Sequence, residues 1–304
     1  MMRQMYKKFE LGEREQSLID RLSKRDGSNE AIIDLALDHY KDQIEFIGLN
    51  KVKDNLDTLI TLKEHLMERR KFGLVNPNEY FISAYTLLGN RGMGEVEVAR
   101  LIGVILKYTG ELSGGHLVTV SLDELSLCNC IADREKINEI IEEARGGVLL
   151  ITDMHAYLNY DCDQYINVFE DIMDAYGRDM LAIFSSPEEV MKDLFLRRSD
   201  LKARINYSIE IPDHTASDME QTFAILCKKH NFSMSDELIS LVHEHFLSVA
   251  ENKDSKKYNF YYLQELFNQT FYVMATRLAK CGNYTKEQLS ILLPEDFRSA
   301  VESF

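Results

Sequence analysis

Positive charge is scarce in this chain. Its 35 Lys and Arg face 50 Asp and Glu, leaving a formal charge of −15 over 304 residues. Neutralising a phosphate backbone takes clustered cations, so the balance excludes nucleic acid as an expected partner. It argues equally against an anionic membrane surface. Long apolar runs are also missing: no stretch approaches the roughly 18 residues that a membrane-spanning helix requires. The opening MMRQMYKKFELGEREQ lacks the apolar centre of a secretory signal. Cysteine is sparse, with Cys128, Cys130, Cys162, Cys227 and Cys281 forming an odd set without framework spacing. Reduced thiols in a cytoplasmic protein are therefore expected. Cys128 and Cys130 with Cys162 and His155 lack the paired spacing of a zinc site, so no metal is expected. His243 and His245 are two residues apart and diverge on a helix, which makes a solvated face their simplest reading. The same holds for the acidic cluster Asp161, Asp163, Glu170, Asp171 and Asp174. No internal repeat or low-complexity tract is present.

What remains divides into three parts. Residues 1–45 are polar and helix-prone, interrupted at Asp26-Gly27-Ser28, with an apolar stripe through Ile32, Ile33, Leu35, Leu37 and Tyr40. Across 46–212, short apolar runs alternate with helical stretches. The runs are Tyr85–Leu88, Leu117–Val120, Val148–Ile151, Leu181–Phe184 and Tyr207–Ile211. Such alternation predicts a three-layer α/β core around a mainly parallel sheet. Over 213–304 there is no strand signal. Helices are expected at 217–230, 235–250 and 259–280, with the charged stretch Glu251–Lys257 as an exposed connection. The aromatic stripe Phe260, Tyr261, Tyr262, Phe267, Phe271 and Tyr272 reads as core of this helical part.

The segment Leu88–Arg100, LGNRGMGEVEVAR, carries the most chemistry. Gly89, Gly92 and Gly94 keep the glycine frame of a G-x-x-x-x-G-K-[ST] phosphate loop. The lysine of that motif is replaced by Glu95, and the metal-binding hydroxyl residue by Val96. Unit charges about 4 Å apart interact by roughly 4 kcal/mol at an effective dielectric near 20. Replacing Lys by Glu turns an attraction of that order for a triphosphate into a comparable repulsion.

From Phe46 to about Lys280 the chain resembles the AAA+ family that includes red-type rubisco activase and the stage V sporulation protein K ATPases. The resemblance rests on ordered blocks: Ile47-Gly48-Leu49-Asn50-Lys51-Val52-Lys53, the loop itself, Gly115-His116-Leu117-Val118 with Asp123-Glu124-Leu125, Gly146-Gly147-Val148-Leu149, Leu201-Lys202-Ala203-Arg204, and Ile209-Glu210-Ile211-Pro212-Asp213. It implies a three-layer AAA+ P-loop core with a mainly parallel sheet, followed by a C-terminal α-helical lid. It also implies an adenine contact at Ile47 and Gly48 and a phosphate loop over Gly89, Asn90, Arg91, Gly92, Met93, Gly94, Glu95 and Val96.

At the catalytic positions the chain departs from the family. Glu95 and Glu97 now face the anion site, and Val96 offers no metal ligand. The Walker B acids fall at Thr152 and Asp153; a one-residue bulge would bring Asp153 to the metal but leave Met154 in place of the base. The central-pore loop aligns with Asn129, Cys130 and Ile131, which lack the aromatic grip. The lid sensor arginines fall at Tyr261 and Gln264, and the strand-end sensor at Ser185 or Ser186. Arg204 keeps the place of an arginine finger acting on a neighbour's nucleotide; its plain alternative is an ordinary salt bridge. Two functions follow. One is a degenerate, non-hydrolysing AAA+ subunit that expects no cofactor and assembles with itself or with an active AAA+ paralogue. The other is a divergent ATPase that remodels a protein client, in which Arg91 replaces the lost lysine and Asp153 holds Mg²⁺ beside ATP.

Overall fold

The computed structural model describes residues 6–23, 52–74, 84–123, 134–156, 167, 170, 179–252, 260–282 and 284–304. They fall into two compact units that divide between Pro212 and Asp213.

The first unit is built on a six-stranded sheet of order β1-β3-β4-β5-β2-β6. Its strands are β1 (Tyr6–Phe9), β2 (Ala84–Leu88), β3 (Leu117–Ser121), β4 (Val148–Thr152), β5 (Leu181–Ser186) and β6 (Ile205–Glu210). The pairs β3–β4, β4–β5, β5–β2 and β2–β6 are all parallel. Strands covered on both faces read as unbroken apolar runs rather than alternating ones, and β4 and β5 are buried nearly throughout. Helices α1 (Glu13–Ser23), α2 (Lys53–Lys71), α3 (Glu95–Tyr108), α4 (Arg134–Ala144), α5 (Glu188–Arg197) and α6 (Ser199–Arg204) also belong to the unit. The chain leaves β2 through α3 to reach β3, three strands away, then steps back towards β2 through β4 and β5. The carboxyl end of β2 therefore sits where the strand order reverses, the place where open α/β sheets put ligands.

The expectation of a helical 1–45 needs correction. Tyr6–Phe9 is an antiparallel edge strand against β3, registered from Tyr6↔Val120 to Phe9↔Leu117. Among the described residues of the segment the helix that follows fits the expectation, and the stripe from Ile32 to Tyr40 lies outside them. Leu18 and Leu22 of α1 are buried at helical spacing. The side chain of Glu15 accepts from the Gly12 amide at 3.0 Å and from Arg100 Nη2, on α3, at 2.6 Å. The Arg100 guanidinium also lies 5.7 Å from the centre of the Phe9 ring. Strand and helix are thus fastened to the helix that opens with the glycine loop. Deeper in the unit, Lys63 on α2 pairs with Glu111 at 2.6 Å. Burial pushes this ammonium's pKa down, but Tyr85 and Glu111 together outweigh burial and leave it raised.

The second unit holds α7 (Ala216–Lys229), α8 (Asp236–Asn252), α9 (Phe260–Cys281), α10 (Lys286–Leu289) and α11 (Pro294–Glu302). Thr215 and Asp218 close α7 with reciprocal capping bonds. Phe223 sits among Phe246, Phe267 and Phe297 with ring centres 6.3, 6.2 and 5.4 Å away. Two residues of strand, β7 (Ser233–Met234), pair in parallel with β8 (Ile291–Leu292), where no strand was expected. Part of the expected aromatic core is on the surface: Tyr262 and Phe267 are buried, whereas Tyr261, Phe271 and Tyr272 are exposed. His245 is not a solvated face residue. Its Nε2 lies 2.7 Å from the Tyr262 hydroxyl, and its ring packs against Phe246 and Phe297. His243 does lie exposed, paired with Glu220 at 2.8 Å.

One ion pair ties this unit together. Arg277 on α9 donates from Nε and Nη2 to the two oxygens of Asp296, each at 2.8 Å, and the Asp296 side chain is fully buried. Asp296 also accepts from the Leu293 amide at 3.0 Å, which caps α11. Asp296→Ala removes both contacts and leaves the guanidinium its longer pair with Glu295, at 3.5 Å. The expected loss is about 3 kcal/mol, the lower end for breaking a buried pair because Arg277 keeps some solvent. Urea unfolding followed by far-UV circular dichroism checks it; an unchanged midpoint would show that α11 docks without this pair.

Candidate functional site: a self-occupied phosphate loop

The site grows from the end of β2. A Cβ on Gly89 would stand 2.6 Å from the Ile211 carbonyl oxygen, so the turn out of the strand admits only glycine. Gly92 and Gly94 have φ of 82° and 98°, the left-handed conformation that side chains resist. Gly94 is the N-cap of α3. Left-handed residues alternating with ordinary ones turn successive amides inward, forming a nest for an anion at the positive end of the helix dipole. Met93, between the two glycines, is buried. Asn90 and Val96 are half-buried around it.

The nest already contains an anion. Glu95 folds back over its own loop and accepts from the Gly92 amide at 3.2 Å on Oε1 and 3.1 Å on Oε2. It accepts again from the Met93 amide at 3.2 Å on Oε2. The sequence put Glu95 opposite the anion site, repelling a phosphate from across it. The structure puts the carboxylate inside.

The second side of the site is the end of β4. Register with β3 runs unbroken from Leu117↔Val148 to Ser121↔Thr152, so no bulge is present. Asp153 reaches the loop by another route, a left-handed backbone at φ 58°. Its side chain is buried; Oδ2 accepts from Ser121 Oγ at 2.7 Å and from Thr152 Oγ1 at 3.2 Å. Oδ1 lies 3.6 Å from Nη1 of Arg91, which is itself well exposed. The loop arginine is thus engaged with the aspartate that the sequence proposed as a metal ligand. In that unbulged register the expected places of the metal-binding acid and the base fall on Thr152 and Asp153, and Met154 beyond them is buried completely. Ser121 was not singled out from the sequence, although a polar residue ending an apolar core strand was a usable signal.

On the neighbouring strand, Ser185 and Ser186 are both buried. They are registered against Leu87 and Leu88, and the Ser186 carbonyl accepts from the Gly89 amide at 3.2 Å. The Ser186 hydroxyl makes no hydrogen bond among the described residues.

Arg204 ends α6, half-buried. The arginine most firmly held nearby is Arg198. Its Nη2 bonds Glu170 Oε2 at 2.6 Å, Asn167 Oδ1 at 3.0 Å and Asp200 Oδ2 at 2.9 Å. Glu170 is therefore buried in an ion cluster, not part of a solvated acidic face. Burial raises its pKa against the pull of Arg198 and, more weakly, of Arg204. The hydrogen bond from Arg198 draws Asp200 down to about 2.

The lid-sensor positions carry no cation: Tyr261 is exposed, and Gln264 Nε2 donates to Asn268 Oδ1 at 3.4 Å within α9. The adenine positions Ile47 and Gly48, the pore-loop positions Asn129, Cys130 and Ile131, the cysteines Cys128 and Cys162, and the acids Asp161, Asp163, Asp171 and Asp174 lie outside the described residues. No helix among the described residues is long and apolar enough to cross a membrane.

No family model matches the chain. Individual relatives do. A CfxQ homologue of Pyropia yezoensis is 26% identical over 227 residues, spanning 69% of this chain and 74% of the relative. The chloroplastic ribulose bisphosphate carboxylase/oxygenase activase of Cyanidioschyzon merolae is 24% identical over 306 residues and 95% of both chains. CbbX of Cereibacter sphaeroides is 25% identical over 265 residues, 84% of each. Among solved structures, the Thermotoga maritima RuvB Holliday junction branch migration motor superposes with a TM-score of 0.52 at 13% identity. That match covers 85% of this chain and 70% of RuvB. The FIGL-1 AAA domain in complex with ADP gives 0.51 at 11% identity, over 72% of this chain and 71% of that domain. The structural matches establish the fold alone. Taken with the glycine loop and with sequence relatives aligned along most of their length, they show a chain with the AAA+ P-loop fold that is homologous to CbbX and red-type rubisco activase.

Proposed function

We propose that this chain is a catalytically degenerate AAA+ subunit, a structural or regulatory member of a ring in which other chains hydrolyse ATP. The observation that carries this reading is the Glu95 carboxylate held by the Gly92 and Met93 amides. A magnesium nucleotide does not fit the residues present. The phosphate position is filled by a like charge, the place of the lysine is taken by that same glutamate, and Val96 has no oxygen for a metal. At the end of β4, both oxygens of Asp153 are engaged by Ser121, Thr152 and Arg91. Thr152 stands in place of the metal-binding acid, and Asp153, in the place of the base, has its carboxylate taken up by these contacts. Phosphoryl transfer relies almost wholly on positioning and charge stabilisation by such groups together, so their joint loss leaves no engine. The partner is another AAA+ chain, a paralogue or a second copy; no nucleic acid or membrane is involved, and the setting is cytoplasmic.

A specific observation favours the second reading, a divergent ATPase that remodels a protein client. Asp153 is an acid at the mouth of β4, and Arg91 is a cation inside the loop. Steady-state phosphate release separates the two. The wild-type protein is expected to hydrolyse ATP no faster than buffer. A turnover that disappears in Asp153→Ala would establish the ATPase instead.

A further inference from the structure

We infer that Glu95 is a permanent internal anion: its carboxylate does for this loop what a bound phosphate does for a working one, and it keeps a latent diphosphate site closed. The inference rests on the non-hydrolysing reading and goes beyond it. A loop that merely lost function would be expected to point its glutamate into water, where a first-turn carboxylate already profits from the helix dipole. Glu95 instead turns back on the residues two and three positions before it and spends both oxygens on their amides, at 3.1 to 3.2 Å.

The rest of the site supports that state. The left-handed glycines hold the amides in the converging arrangement that suits an anion. Without one, the donors would be left facing each other. Arg91 spans to Asp153, which Ser121 and Thr152 fix from behind, so the loop is clasped from its far side as well. The buried Ser186 hydroxyl, unsatisfied among the described residues, stands on the strand paired with the one that enters the loop.

An internal ligand on so short a tether competes at an effective concentration on the order of millimolar or above, so dissolved phosphates at ordinary levels do not displace it. Removing the carboxylate frees the amides. The ligand they would then take is a diphosphate, as inorganic pyrophosphate or the diphosphate of ADP. It would bind without metal, because Val96 supplies no coordinating oxygen.

The experiment uses the full chain as wild type, Glu95→Ala and Glu95→Gln, in magnesium-free buffer with chelator. Thermal unfolding is followed with and without inorganic pyrophosphate at a few millimolar, then with ADP. The wild type is expected to ignore both. Glu95→Ala should unfold at a lower temperature and recover about 2–4 °C with pyrophosphate once it is tenfold above its dissociation constant. Glu95→Gln keeps the shape without the charge and should show a smaller response of the same sign. A folded Glu95→Ala that melts like the wild type and ignores pyrophosphate would overturn the inference. So would a wild type that responds as strongly as the variants. If Glu95→Ala does not fold, Glu95→Gln decides: a pyrophosphate response absent from the wild type supports the internal anion, and none defeats it. The functional reading fails separately, by ATP turnover in the wild type, whatever Glu95→Ala binds.

Discussion

The double substitution Glu95→Lys, Val96→Thr is expected to convert a loop that rejects Mg-ATP into one that binds it in the micromolar range. The change removes the internal carboxylate from the Gly92 and Met93 amides and supplies a cation and a metal-binding hydroxyl in one step. Reversing a unit charge at about 4 Å is worth up to roughly 8 kcal/mol at an effective dielectric near 20. If a third of that survives screening by water and the movement of Arg91, affinity rises about a hundredfold, at 1.4 kcal/mol per factor of ten. Hydrolysis should not return with binding, because Thr152 still occupies the place of the metal-binding Walker B acid and the Asp153 carboxylate stays bonded to Ser121 and Thr152. Calorimetry on the wild type and the double variant reads the outcome. Micromolar binding by the wild type would sink the prediction, since Arg91 would then be rescuing the loop. So would a folded double variant that takes up no nucleotide, which would mean that the glycines no longer frame a nucleotide site. This differs from simple removal of Glu95, which opens the nest but adds no attraction.

How much of this was legible in the sequence follows from which interactions write themselves into local pattern. Strands β2 to β5 did, because burial on both faces leaves continuous apolar runs that no exposed element needs, whereas the edge strand β6 alternates partly or fully buried residues with exposed ones. β1 did not. It is a four-residue edge strand, Tyr-Lys-Lys-Phe, whose two central residues are exposed lysines, a composition that blunts sheet edges and hides the strand. β7 and β8 pair only two residues each, too short for any period to register. In the helical unit, the first three helices lay close to their expected spans. The final helix α11 was missed: its nine residues are anchored through Asp296, an acid that reads as surface.

The site divides in the same way. Its glycine frame is a backbone requirement, and backbone requirements constrain residue type at fixed spacing, so the loop could be found from the chain alone. Where a side chain turns inside that frame is set by neighbours distant in sequence. The sequence had Glu95 as a repelling charge, and nothing local tells a glutamate facing a nest from one filling it. Asp153 is similar: a left-handed backbone at an ordinary residue has no pattern to announce it. Glu170 shows the limit of composition. It lies in an acidic stretch and was read as solvated with its neighbours, yet it turns inward to Arg198.

Arg204→Ala is expected to lower the ATPase rate of a mixed ring while leaving this chain's own fold intact. If the chain cannot use nucleotide, an arginine at the finger position can act catalytically only in a neighbouring active site. Arginine fingers are worth roughly 10³ to 10⁵ in rate in nucleotide triphosphatases; the loss will be smaller where a ring contains other intact fingers. The nearby cluster supplies the control. Arg198 is nearly enclosed and holds buried Glu170 at 2.6 Å, so Arg198→Ala strands a carboxylate and should cost about 3–5 kcal/mol of stability. Arg204 is half-buried, and its influence on Glu170 is the weaker of the two. A finger and a structural arginine therefore give opposite signatures: Arg204→Ala should change rate with little change in melting temperature, and Arg198→Ala should change melting temperature first. The measurement begins with light scattering of this chain alone and with active AAA+ paralogues, followed by ATP turnover of any assembly that forms. A protein that stays monomeric with every paralogue offered would defeat the trans role. So would an Arg204→Ala variant that loses stability as Arg198→Ala does, because Arg204 would then be holding its own domain together and not a neighbour's nucleotide.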